Sequence, residues 1–235
     1  NLLRGCSSAA PMVDVETEDG LLILYTSGTT GRSKGALISH RAMIARAAAM
    51  RADCHILRTD GFIAWSPLFH MASADPTLAT LTQGGTVVLI DGFEPSEIVL
   101  ALSEFDIGWF VLMPGMIDRM ADELEKSETP VRRIALAGCM ANLVPPELIA
   151  RITSLLNAPF ANSFGSSETG IAPGSGNTIP VGEAPRSLGK RQNSFCEIKL
   201  VDENDAVVLP GEVGEICLRS PLLFTRYWND PDATA

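Results

Sequence analysis

Paired cysteines are missing from this chain. Its five cysteines, Cys6, Cys54, Cys139, Cys196 and Cys217, are odd in number and scattered, and no C-x-x-C pair occurs. That pattern suggests neither a zinc ribbon nor a disulfide framework. A reducing, cytoplasmic setting is therefore the expectation. Long apolar runs are missing as well: no stretch reaches the ~18 residues that mark a membrane-spanning helix. Residues 1–5 show no basic segment leading into a long apolar one, so they do not read as a signal peptide. There is no initial Met, and the last residues stop in mid-pattern; both ends are expected to be cuts through a longer protein. Basic residues are scarce, 18 Lys and Arg against 28 Asp and Glu, for a net charge of −10. This argues against nucleic acid or an anionic membrane as a partner. Any phosphate site must then be built locally, from backbone dipoles and one or two cations. No internal repeat or low-complexity tract is seen.

What is present is ordinary globular material. The chain has 235 residues, 46% of them hydrophobic and 20% charged, enough for one or two domains with a substantial core. Apolar strands predicted at 21–26, 36–39, 62–65, 86–90, 109–112, 133–137 and 159–164 alternate with helices at 40–52, 71–82, 95–105, 115–126 and 145–156. That alternation implies an α/β fold built on a mainly parallel sheet. Residues 170–192, rich in Gly, Pro, Ser and Asn, read as a long loop. The β-like runs at 195–201, 213–218 and 222–228 read as a small antiparallel or barrel-like module. The acidic cluster Asp118, Asp122, Glu123 and Glu125 reads as a solvated helix face.

The most informative stretch is Tyr25-Thr26-Ser27-Gly28-Thr29-Thr30-Gly31-Arg32-Ser33-Lys34-Gly35, directly after the first strand. Hydroxyls and free backbone N–H groups can donate to phosphate oxygens, glycines allow close approach, and Lys34 adds a point charge. The physical reading is a polyphosphate clamp made of Thr26, Ser27, Gly28, Thr29, Thr30, Gly31 and Lys34. A P-loop does not fit, because Lys34 is followed by Gly35 and lacks the expected spacing. Residues 31–35 do match G-x-S-x-G, the nucleophile elbow of hydrolases. That elbow needs its serine at a strand-to-helix turn and a late histidine, whereas His40, His55 and His70 all follow Ser33 closely.

This loop closely resembles the signature of the adenylate-forming enzymes: acyl-CoA synthetases, aryl-CoA ligases, peptide-synthetase adenylation domains and firefly-type luciferases. A second match is Asn162-Ser163-Phe164-Gly165-Ser166-Ser167-Glu168, again after a strand. Phe164 offers a face for stacking a base, Gly165 leaves room beside it, and Ser167 can donate to a phosphate. Glu168 is a hard oxygen ligand suited to Mg²⁺. The resemblance places Asn162 at the adenine edge and makes Glu168 both metal ligand and catalytic residue. It also sets Gly138, in the turn 136–142, against adenine and the acyl group, with Met140 and the bulkier Cys139 altering that wall. Cys139 is expected to be a buried small hydrophobe. Pro67-Leu68-Phe69-His70-Met71 resembles a segment in which the histidine borders the acyl pocket. His70 stands where amino-acid-activating relatives carry an aspartate, which tilts the substrate toward an acid without an α-amino group, although Asp75 remains nearby. Residues 210–216 and 227–231 resemble barrel landmarks and receive no chemistry.

The resemblance implies layered sheets with helices on both faces, plus part of a small β-barrel at the C-terminal end. Residues 1–57 would end a first α/β subdomain, 58–177 form a second, and 178–235 belong to the barrel, with a catalytic C-terminal domain absent. The implied activity is ATP- and Mg²⁺-dependent conversion of a carboxylic acid to an acyl-adenylate, then to a thioester with coenzyme A. A carrier protein as acceptor, a luciferase-like use of the adenylate and a non-catalytic nucleotide-binding module are the alternatives. The piece alone is expected to bind nucleotide weakly without efficient turnover.

Overall fold

A computed structural model describes residues 5–7, 9, 11–26, 32–174 and 178–234. The chain opens with two antiparallel strands, β1 (Gly20–Tyr25) and β2 (Gly35–Ser39). The loop between them is thus a hairpin connection. Helix α1 (His40–Cys54) follows at once, its N-terminus capped by Ser39, whose Oγ accepts from the Ala42 amide at 3.2 Å.

The expected α/β alternation then appears. Its elements are β3 (Gly61–Ala64), α2 (Met71–Gln83), β4 (Val87–Leu89), α3 (Pro95–Glu104), β5 (Ile107–Val111), α4 (Ile117–Lys126), β6 (Ile134–Cys139), α5 (Pro146–Leu156) and β7 (Phe160–Asn162). Then come β8 (Phe164–Ser166), β9 (Gly170–Gly174) and β10 (Thr178–Ile179). The last elements are β11 (Glu197–Val201), β12 (Glu215–Arg219), β13 (Arg226–Tyr227) and the short α6 (Pro231–Thr234).

One six-stranded sheet, ordered β10-β7-β6-β5-β3-β4, carries the main core. Its pairings are parallel except for β10 on β7. Burial on both faces explains why β3, Gly-Phe-Ile-Ala, is apolar throughout. From β3 the chain crosses to β4 on one side, then back over to β5 and onward to β6 and β7. Right-handed crossovers put α2 on one face and α3, α4 and α5 on the other. The reversal leaves a crevice beyond the carboxyl ends of β3 and β5, where ligands collect in open α/β sheets.

Two expectations need correction. Residues 170–192 are not one loop, since β9 pairs with β8 and β10 extends the main sheet. Glycine and proline mask these strands because their use here is close backbone packing: a Cβ on Gly165 would stand 1.9 Å from the Gly170 carbonyl oxygen. Residues 222–228 yield only β13, and it pairs with β2, not with the tail. Alternation shows that a run can be a strand but not which edge it joins. The acidic face of α4 is solvent-exposed, as expected, and Arg151 of α5 reaches across to it, at 2.7 Å from Asp122 and 2.8 Å from Glu125. The tail contributes one antiparallel ladder, β11 with β12.

Candidate nucleotide and acid site

The polyphosphate clamp can be placed only at its two ends. Ser27, Gly28, Thr29, Thr30 and Gly31 lie outside the described residues. The Thr26 amide donates to the Lys34 carbonyl at 2.9 Å, and the Lys34 amide donates to Thr26 Oγ1 at 3.3 Å. These bonds close the neck of the hairpin loop. A strand-to-strand hairpin is not the strand-to-helix turn a nucleophile elbow requires, so the hydrolase match at Ser33 is accidental.

Beyond the neck, Lys34 is linked to the second motif through Tyr227. Its Nζ lies 4.8 Å from the centre of the Tyr227 ring, within cation–π range. The Tyr227 hydroxyl donates to Glu168 Oε1 at 2.8 Å. Burial first, then the Glu168 carboxylate, push the Tyr227 phenol up to about 12. It therefore remains a donor throughout the neutral range. Tyr227 arrives there because β13 pairs with β2, and the Trp228 amide donates to the Gly35 carbonyl at 2.7 Å. Sequence reasoning treated Tyr227 as a landmark only; its contacts depend on a strand pairing that the sequence does not show. Glu168 is half-buried, and its main chain is fixed by the Phe224 amide, which donates to the Glu168 carbonyl at 2.8 Å. Among the described residues no group of three or more His, Cys, Asp or Glu could hold a metal. A single carboxylate still suits Mg²⁺, which is commonly held by one or two carboxylates together with substrate phosphates and water.

The carboxyl ends of β5, β6 and β7 close around an apolar cavity of about 190 Å³. Five of the predicted residues line it: His70, Gly138, Met140, Phe164 and Gly165. Trp109, Met113 and Ile171 supply much of the remaining apolar wall, and Met50 and Asp75 also border it. Cys139 lines the cavity too, and burial pushes its thiol up to about 12, as expected of a packed, unreactive cysteine. His70 caps α2, its Nδ1 accepting from the Ala72 amide at 3.1 Å. A neutral ring accepting at Nδ1 carries its proton on Nε2, so His70 can donate at the exposed edge. Gly138 must be glycine for close packing, since a Cβ would stand 2.4 Å from the Ala161 carbonyl oxygen.

Asn162 is placed differently from the other predicted residues. It is 1% exposed, and its amide is engaged inside the protein. Oδ1 accepts from the Ala141 amide at 3.1 Å and from Lys190 Nζ, while Nδ2 donates to the Leu188 carbonyl at 2.9 Å. The side chain ties the turn after β6 to residues 188–190, behind the cavity face. Ser167 is half-buried beside Glu168, and its carbonyl accepts from Arg46, a residue that sequence reasoning missed.

Among the described residues no helix is long and apolar enough to cross a membrane. The chain is 33% identical to an indoleacetate–CoA ligase of Aromatoleum aromaticum, aligning over 100% of its own length and 46% of that protein's. It is 28% identical to a feruloyl-CoA synthase of an Amycolatopsis species, over 99% of this chain and 47% of that one. It thus spans about half the length of the curated relatives it matches. Among solved structures, a fatty-acid CoA ligase homologue from Rhodopseudomonas palustris superposes with a TM-score of 0.78 at 27% identity, covering 94% of this chain and 54% of that one. The N-terminal domain of FACL13 from Mycobacterium tuberculosis gives a TM-score of 0.80 at 24% identity, over 99% and 57% of the two chains. A family model described as AMP-binding enzyme matches residues 4–228, and the chain belongs to that family.

Proposed function

We propose that the protein containing this chain activates a carboxylic acid with ATP and passes the acyl group to the thiol of coenzyme A. In the first step a carboxylate oxygen attacks the α-phosphate and pyrophosphate leaves. In the second the thiol sulfur attacks the acyl carbon, AMP leaves and the thiol proton is released. One observation carries the reading. The Lys34–Tyr227–Glu168 contact set and the apolar cavity share the β7–β9 segment, with Phe164 and Gly165 on the cavity and Glu168 on the charged side. A ligand with a charged phosphate end and an apolar acyl end fits such a junction.

The roles follow from position. Thr26, Ser27, Gly28, Thr29, Thr30, Gly31 and Lys34 would hold the β and γ phosphates and Ser167 the α-phosphate. Phe164, Gly165 and Gly138 would bracket adenine, and Asn162 would hold their wall in place. His70 and Met140 would border the acid. Glu168 would hold Mg²⁺, which supplies charge neutralisation on the phosphates when bound. Coenzyme A is favoured over a carrier protein because the matched relatives are CoA ligases. The exposed Ile198, Leu200 and Ile216 of the β11–β12 ladder support reading it as part of a small barrel. The division into units at 57/58 and 177/178 belongs to the same proposal.

The test is ATP–pyrophosphate exchange by the full-length protein over fatty, aryl and amino acids. Exchange is expected with acids lacking an α-amino group. Exchange confined to amino acids would overturn the substrate class. None across the panel would overturn the activity.

A further inference from the structure

Arg46 of α1 is fully buried, 0% exposed. Its Nε donates to the Leu222 carbonyl at 2.9 Å. One terminal nitrogen faces the Asp75 carboxylate, at 3.1 Å from Oδ2 and 3.4 Å from Oδ1. The other donates to the Ser167 and Glu168 carbonyls, at 3.0 and 3.2 Å. A guanidinium has five N–H donors in one plane, and all three of its nitrogens are engaged here. The backbone after Glu168 wraps the same group: Gly170 adopts φ +64°, and a Cβ there would stand 2.8 Å from Arg46 Nε.

The ion pair alone does not explain this arrangement. Burial pushes the Asp75 carboxyl up against the opposing pull of Arg46. Buried ion pairs commonly stabilise no more than apolar side chains of the same volume. What a planar five-donor fork supplies is direction. Here it joins a residue bordering the acid cavity, Asp75, to the main chain that presents Glu168.

We propose that Arg46 is a positioning residue for the nucleotide site: it fixes the turn carrying Glu168 relative to the acid cavity, through Asp75 on one side and the Ser167 and Glu168 carbonyls on the other. The inference rests on reading Glu168 as the Mg²⁺ ligand. It deepens that reading, because a carboxylate and an α-phosphate must meet in a fixed geometry for the first step to proceed.

The test uses the full-length protein with Glu168→Gln, with the apolar replacement Arg46→Met/Asp75→Leu, with Arg46→Lys, and with each Arg46 change combined with Glu168→Gln. Binding of Mn²⁺·ATP is followed by electron paramagnetic resonance, with melting temperature alongside. Arg46→Met/Asp75→Leu is expected to fold while binding Mn²⁺·ATP about 10–100-fold more weakly, the scale of outer-shell losses at metal sites. Arg46→Lys recovers part of that loss. Placed on Glu168→Gln, either Arg46 change adds less than twofold, because both act through one carboxylate. Wild-type binding by a folded Arg46→Met/Asp75→Leu overturns the proposal, as does full additivity with Glu168→Gln. If the apolar replacement does not fold, the Arg46→Lys/Glu168→Gln cycle decides by the same criterion. Wild-type metal binding by Glu168→Gln would instead overturn the underlying reading of Glu168.

Discussion

At the scale of single residues, the strongest constraint is on Glu168, which is held at both ends. Its carbonyl is fixed by Phe224 and Arg46, and its carboxylate accepts from Tyr227. Tyr227→Phe removes the hydroxyl but leaves a ring for Lys34, so it isolates the carboxylate's orientation. Mg²⁺ affinity in the presence of ATP is expected to fall about tenfold. The loss should be the same at pH 7 and pH 9, since the phenol, pushed up to about 12, is protonated at both. Mg²⁺ titrations of nucleotide binding at the two pH values check this, and a loss confined to pH 9 would sink it. The sequence made Glu168, Phe164 and Lys34 legible because each sits in a short motif whose residue types have one chemistry in common. Arg46 was illegible for the opposite reason. It stands alone in an alanine-rich helix, where an arginine reads as solvent-facing, and its partners lie 29 to 176 residues away. Asn162 was found by its motif, but its engaged amide shows only in three dimensions.

At the scale of elements, hydrophobic period and helix-start signals located the alternating strands and helices, because those signals are local and repeated. The β8–β9 hairpin was hidden because its sequence, Gly-rich with Pro173, is selected for close approach and not for β-propensity. That makes glycine at 165 a requirement of the element. A methyl group there would meet the Gly170 carbonyl oxygen at 1.9 Å and the Ala172 carbonyl oxygen at 3.1 Å, backbone atoms that cannot turn aside. Gly165→Ala is expected to cost about 1–3 kcal/mol. For a chain of this size that corresponds to roughly 2–4 °C per kcal/mol. Gly115→Ala is the control. A Cβ there has nothing within 4 Å, and the change should stay within about 0.5 kcal/mol. Calorimetry on both variants decides, and equal melting temperatures would remove the claim that close packing at 165 holds the hairpin. The partner of β13 was beyond sequence reading for a different reason: two residues carry no register, and only the tertiary position of β2 selects them.

At the scale of the whole molecule, the parallel sheet and the β1–β2–β13 sheet meet around α1, and buried thiols sit near that junction. Cys54 closes α1 and packs with Leu136 and Ala161 beneath the main sheet. Cys139 ends β6 within the main core. Burial pushes both thiols from 9.0 up to about 12, with Asp53 adding repulsion at Cys54. The sign is fixed by the proton. At a pH between those values the unfolded chain has released it and the folded chain has not. The stabilisation of the protonated, folded form is therefore complete below pH 9.0 and is lost as pH rises toward about 12. Each group contributes a slope of up to about 1.4 kcal/mol per pH unit across that interval. Tyr227, raised from 10.0 to about 12, acts in the same direction. Urea unfolding of the full-length protein at pH 8, 9.5 and 10.5 (roughly spanning the start of that window) should show stability falling over both steps. Cys54→Ala/Cys139→Ala should fall less steeply, having lost the two protons that the fold retains. Parallel slopes for the variant and the parent would show that the alkaline limit of this fold is set elsewhere than at the thiols under its sheet.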